Sequence, residues 1–143
     1  MEIPEKLKPV INYYNNNQLD EAERLLENIK KEIKNKFLIL KMYSSIYQKK
    51  QNWKKFIEVN NKLLDYQEDK EKTLVNIGIG YYKLGEINNS IKYYQSSVEQ
   101  NASNEIGYEN LSISYLEIGK YEKSIENSLK VLELNRKNFK SQN

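Results

Sequence analysis

The side chains able to do chemistry in this chain are carboxylates, amines and phenols, because its 143 residues include neither cysteine nor histidine. Disulfide frameworks, thiolate nucleophiles, Cys/His zinc sites and histidine acid–base catalysis are thereby excluded. Carboxylates are plentiful, but Glu21, Glu23 and Glu27 fall on the polar stripe of an amphipathic helix pattern. Solvated ion pairing four residues along the helix is the ordinary use of such groups. Asp65, Glu68 and Asp69 form the densest acidic cluster, yet they lack the glycine and terminal glutamate of a calcium loop. The run Ile77-Gly78-Ile79-Gly80 lacks the Lys-Ser/Thr of a phosphate loop and lies inside a helical pattern, so it reads as packing. Lys49, Lys50, Lys54 and Lys55 surround Trp53 in the manner of a nucleic-acid patch. They also mark a turn and a helix start, where exposed lysines are common, and Trp53 takes a packing register. No catalytic residue, metal or cofactor is expected.

The elements that would hold any site are set by a period. Tyr13, Tyr47, Tyr81 and Tyr115 each follow the one before by 34 residues, which directs the search to internal repeats. Cutting at that period gives segments 3–36, 37–70, 71–104 and 105–138, an array over 1–138, with 139–143 left as the start of a truncated fifth repeat or a tail. In the third segment Leu74, Ile77, Gly78, Tyr81 and Leu84 keep helical spacing and stop on Gly85, a residue suited to the left-handed position after a helix. Ile87, Ser90, Ile91, Tyr94 and Val98 then mark a second helix, with Asn88 or Asn89 as its expected N-cap. The fourth segment repeats the layout. In the second, Gln51 replaces the turn glycine, which predicts a strained or water-bonded turn over residues 50–52. In the first, Asn15-Asn16-Asn17 fills the turn, and Pro9 predicts that the first helix starts or kinks beside it.

Composition agrees with helices. Five glycines and two prolines leave little material for hairpin turns. An apolar fraction of 38% is lean for one globular core and workable for a thin stack of helices rich in tyrosine, of which there are 12. The net charge of +3 creates no strong field toward nucleic acid or anionic membrane. No apolar run approaches the ~20 residues of a membrane span, and no secretory signal is visible at the start. A cytoplasmic setting is expected, with neither membrane nor nucleic acid as partner.

The layout resembles the tetratricopeptide repeat, a 34-residue helix–turn–helix unit. Leu74, Ile77-Gly78, Tyr81, Ser90, Tyr94 and Ser97 match its pattern in the third segment, and Tyr108, Leu111-Ser112, Tyr115, Gly119, Ser124 and Val131 in the fourth. The proline that closes the family's repeats is replaced by Lys34, Glu68, Ala102 and Arg136. The resemblance implies an all-α right-handed superhelical solenoid of four helical hairpins, non-enzymatic, working as a protein-interaction scaffold. The four tyrosines would fill the space between the paired helices of each repeat.

In such arrays the first helices line a concave groove. The family's groove positions fall here on Leu38, Lys41, Met42 and Ser45, then Lys72, Asn76, Ile79 and Tyr82, then Ile106, Asn110, Ile113 and Leu116, among others. The expected contact residues for a protein or peptide partner are Lys41, Lys72, Asn76, Ile79, Tyr82, Asn110 and Ile113. Asn76 and Asn110 occupy equivalent sites, and an amide offers both a donor and an acceptor to a peptide backbone. A chaperone-type carboxylate clamp is not expected, because only Lys41 and Asn76 agree with its pattern. Two alternatives accompany this reading. One is an accessory array of a larger enzyme such as a transferase. The other is homo-oligomerisation through the C-terminal face, since no polar capping helix follows 122–135.

Overall fold

The chain folds into eight α-helices, with no strand among the described residues. They are α1 (Lys8–Asn15), α2 (Leu19–Ile29), α3 (Lys36–Lys49), α4 (Trp53–Leu63), α5 (Lys70–Lys83), α6 (Ile87–Gln100), α7 (Glu105–Glu117) and α8 (Tyr121–Gln142). The computed structural model describes residues 3–142, so the outermost positions of the expected array and tail, Met1, Glu2 and Asn143, lie outside the described residues. Two compact units result, Met1–Asp65 with α1–α4 and Tyr66–Asn143 with α5–α8. Pro9 sits in the first turn of α1, where its missing N–H costs nothing, so the helix starts there without a kink. Helix α8 runs unbroken past residue 138.

Every hairpin turns by the same device. Asn17, Gln51, Gly85 and Gly119, spaced by the period, all have left-handed φ of 62, 55, 78 and 72°. The amide after each donates to the carbonyl of the periodic tyrosine: Gln18 to Tyr13, Asn52 to Tyr47 and Glu86 to Tyr81, each at 2.9 Å, and Lys120 to Tyr115 at 2.8 Å. The left-handed residue itself donates three residues back, as Asn17 does to Tyr14 at 3.1 Å and Gly85 to Tyr82 at 2.9 Å. This double closure is a Schellman motif, and it satisfies carbonyls that the helix end would leave bare. Gln51 holds the same geometry without glycine's freedom, as its sequence position predicts.

Asparagine caps three of the helices. Asn35, Asn52 and Asn104 accept through Oδ1 from the amides of Leu38, Lys55 and Gly107, at 2.9, 3.2 and 3.1 Å. The cap expected at Asn88 or Asn89 is not there. Helix α6 begins at Ile87, and its N-cap Glu86 makes no side-chain capping bond. The Schellman turn ends at Glu86, which leaves Asn88 and Asn89 already inside the first turn, and Asn89 Nδ2 donates instead to Glu86 Oε2 at 2.7 Å.

Within each hairpin one pair of positions sixteen residues apart mates the two helices, and each pair does so with different chemistry. Val10 and Leu26 are both fully buried in the apolar cluster of the first unit. Asn60, also fully buried, donates to Ser44 Oγ at 2.9 Å and to the Phe56 carbonyl at 2.8 Å. Gly78 lies under the ring of Tyr94, where a Cβ would stand 2.4 Å from the nearest ring carbon. The Ser112 and Ser128 hydroxyls meet at 2.6 Å.

Two stability changes follow. Gly78→Ala forces the buried Tyr94 ring from its place and should cost about 1–3 kcal/mol, read as a lower urea midpoint. Gln51→Gly relieves a left-handed penalty of roughly 1–2 kcal/mol, partly offset by chain entropy, and should raise that midpoint.

Candidate functional site

The first helices carry the candidate residues, and the two units hold them separately. Lys41 belongs to α3 in the first unit; Lys72, Asn76, Ile79 and Tyr82 are on α5 and Asn110 and Ile113 on α7, in the second. In the first unit an open cavity of about 300 Å³ lies between α1 and α3. Leu38, Lys41, Met42 and Ser45 line it from α3, and Val10, Ile11 and Tyr14 from α1. All four α3 residues fall on expected groove positions. Beside them Lys49 donates to the Tyr14 carbonyl at 3.0 Å and stands 4.3 Å from the centre of its ring, a cation–π contact. Lys41 lies 5.9 Å from the Phe37 ring centre.

In the second unit α5 and α7 are neighbours, tied by a hydrogen bond from the Tyr82 hydroxyl to Glu117 Oε1. That carboxylate, with some burial, pushes the Tyr82 phenol above its ordinary range. Ile79 packs half-buried against the core cluster of this unit. Lys72 is exposed and pairs with Asp69 at 3.4 Å. Asn110 turns one amide N–H back onto its own helix, to the Ile106 carbonyl at 3.0 Å. Ile106, Ile113 and Leu116 of α7 are left 58, 49 and 55% exposed, so this helix exposes an apolar strip at its expected groove positions.

The most elaborate polar arrangement lies elsewhere, where α2 meets α3. The Tyr43 hydroxyl donates to Glu27 Oε2 at 2.5 Å and the Tyr47 hydroxyl to Glu23 Oε1 at 3.0 Å. The two rings stack with centres 5.8 Å apart. Lys50 reaches Asp20 at 2.6 Å and Glu23 at 2.5 Å, and Lys55 reaches Glu23 at 3.3 Å while standing over the Tyr47 ring. Burial pulls the Glu23 carboxyl upward, but the bonds from Lys50, Tyr47 and Lys55 together hold it below its usual value. Burial first, then the carboxylate partner, pushes both tyrosines up. These directions keep the phenols protonated and the carboxylate ionised, the opposite of an activated acid or nucleophile.

The expectation that Glu23 faces solvent is therefore corrected, since it and Lys50 are half-buried against each other, whereas Glu27 stays exposed and pairs with Lys30 three residues along the chain, and Lys49 and Lys55 stay exposed. The signal was present in the register. Glu23 takes the repeat position held by Ile57, Ile91 and Ile125, so a carboxylate in an apolar slot announced a partner. The periodic tyrosines touch the paired helix of their own hairpin, as Tyr81 does through Tyr93, and two of them reach further. Tyr47 and Tyr115 are buried with hydroxyls that reach the second helix of the preceding hairpin, Tyr115 accepting from Gln95 Nε2 at 2.7 Å. Tyr13 is only half-buried, and half-buried Tyr81 stacks on Tyr93.

These paired helices define an all-α helical-repeat protein of tetratricopeptide-like fold. Solved structures of MamA, a tetratricopeptide-like helical protein, share it. One crystal structure of MamA superposes with a TM-score of 0.82 over 94% of this chain and 78% of its own, at 16% identity. A MamA RS-1 double mutant gives 0.80 over 94% and 79% at 17% identity. MamA from residue 41 to its end, from Desulfovibrio magneticus RS-1, gives 0.80 over 92% and 74% at 16% identity. At such identities the likeness is one of fold. No protein-family model and no curated protein sequence matches the chain. Among the described residues no helix is long and apolar enough to cross a membrane, and no cluster of acids could hold a metal ion.

The Glu23 network carries a pH dependence of defined sign. A carboxyl whose folded pKa is depressed stabilises the fold above its unfolded pKa of about 4.3, and that contribution disappears as pH falls through the lower folded value. Urea unfolding should show wild type losing stability from about pH 5 toward about pH 3. Glu23→Gln should start lower at neutral pH by about 1.5–3 kcal/mol, since charge-assisted bonds are lost, and decline less steeply.

Proposed function

We propose that this chain is a non-enzymatic protein-interaction scaffold that binds a peptide segment of a partner protein along its first helices. The observation that carries the reading is the cavity between α1 and α3, because Leu38, Lys41, Met42 and Ser45 all open onto it. A space of about 300 Å³ with apolar walls and one lysine at its lining suits an aliphatic or aromatic anchor with an acceptor beside it. On α5 and α7 the contacts are Lys72, Asn76, Ile79, Tyr82, Asn110 and Ile113, with the half-exposed α7 strip supplying apolar area. The ring of Tyr82, fixed by Glu117, offers a preformed surface that loses little entropy on binding.

The absence of cysteine and histidine, the pairing of Lys49, Lys50 and Lys55 within the fold, and the upward-shifted phenols support a binding role over catalysis or nucleic-acid contact. A cytoplasmic setting fits a chain with no cysteine available for disulfides.

Selection from a displayed random-peptide library tests this. Peptides captured by the wild type should carry a large apolar residue, and Met42→Glu should lose them while far-UV circular dichroism stays unchanged. Asn76→Ala/Asn110→Ala should weaken peptides that engage α5 and α7 about tenfold, the equivalent of one to two hydrogen bonds. Equal capture by wild type and both variants would show that the groove residues are wrongly assigned.

A further inference from the structure

Helix α8 carries two apolar stripes, and only one is used within the chain. Ser124 is buried and Val131 and Leu134 are half-buried on the side facing α7. On the other side Ile125, Leu129 and Leu132 are 61, 58 and 63% exposed. With Glu122 and Arg136 they recur at alternating three- and four-residue steps from 122 to 136, the spacing of a coiled-coil seam.

The repeat register shows what this stripe is not built for. In the second unit the matching side of α6, with Ile87, Ile91 and Val98, is covered by Tyr108, Leu111, Tyr115 and Ile118 of α7. At that junction Gln95 meets the Tyr115 hydroxyl, and at the α2–α3 junction Glu27 and Glu23 meet Tyr43 and Tyr47. The α8 residues in those slots are Leu129, matching Glu27 and Gln95, and Ile125, matching Glu23 and Ile91. A further tyrosine-bearing first helix would bring against Leu129 a hydroxyl of the kind that Glu27 and Gln95 meet with a polar atom. Helices α2, α4 and α6 also end at positions that correspond to 131, 131 and 134 of the last repeat, whereas α8 continues to Gln142. Where the other repeats turn back, this one extends its seam.

We propose that two copies of the chain associate through α8, the helices packing antiparallel about a two-fold axis. The register that sets Leu129 against the partner's Leu132 also places Arg136 beside the partner's Ile125, between the partner's Glu122 and the partner's Glu126. Each charge contact then occurs twice, once in each direction, as an isologous interface requires. Glu133 flanks the seam already neutralised by Lys130 at 3.2 Å and Lys137 at 2.7 Å on its own helix, so it does not oppose the approach. The pairing uses none of the groove residues and stands independently of the peptide reading.

Sedimentation equilibrium over a wide concentration range tests it. Wild type should move reversibly between one and two chain masses. Leu129→Gln/Leu132→Gln should remain at one mass with unchanged helicity and urea midpoint at low concentration, because both residues are exposed in the single chain. Arg136→Glu should raise the dimer dissociation constant at least tenfold, and adding Glu122→Lys/Glu126→Lys to the same chain should restore it. A single chain mass at every concentration overturns the proposal, as does a dimer that survives Leu129→Gln/Leu132→Gln. Masses that climb beyond two chains overturn the two-fold arrangement in favour of head-to-tail growth. Failure of the charge exchange to restore association overturns the antiparallel register.

Discussion

The hydrogen bond from the residue after each hairpin turn to the carbonyl of the periodic tyrosine is the constraint on which the rest depends. It fixes where the first helix ends, the left-handed residue that follows, and the residue at which the second helix can begin. The offset between the two helices of a hairpin is then no longer adjustable. Side chains sixteen residues apart must face each other, and the tyrosine side chain is aimed away from its own turn. At Tyr47 and Tyr115 that aim carries the hydroxyl to the preceding hairpin, so one residue sets the turn through its backbone and the junction through its ring.

The junctions inside each unit differ in character although their geometry is shared. Between α2 and α3 the tyrosines meet glutamates, and Lys50 and Lys55 compensate the charge. Between α6 and α7 a neutral glutamine meets Tyr115 and the surrounding contact is apolar. The first arrangement depends on ionised carboxylates and the second does not. The two units therefore answer acid differently, the α2–α3 junction being the one that weakens as protons are added.

Much of the fold was legible in the sequence because its signals are backbone signals. A tyrosine period, glycines at 85 and 119 and asparagine at 17 each demand a particular φ or helical phase, and those demands are met locally. Pro9 likewise signals a helix start or a kink, and the structure has the start. Asparagine's capping preference points to Asn88 or Asn89, but the turn that precedes α6 ends at Glu86 and puts both inside the helix. The α2–α3 network was harder to see, since it joins residues from three helices and rests on lysines that look like ordinary surface charge. Only the register of Glu23 against three isoleucines pointed to it. For the groove, the sequence supplied positions through the repeat phase, and the α1–α3 cavity adds a shape that no pattern of letters contains.

The four mating pairs inside the hairpins have a consequence for how the chain avoids errors while it folds. Repeats of equal period offer many near-equivalent ways to pair a first helix with the wrong second helix. A first helix bearing Ser44 cannot seat against Tyr94, because the hydroxymethyl group would occupy the space of the ring. One bearing Gly78 set against Asn60 leaves a void and a buried amide lacking its Ser44 acceptor, a defect of roughly 1–3 kcal/mol before any packing loss. Val10 opposite Ser128 buries a hydroxyl against hydrocarbon. The pairs thus act as keys of different cut on identical blanks: the period makes the hairpins alike in shape, while the mating residues give each an address.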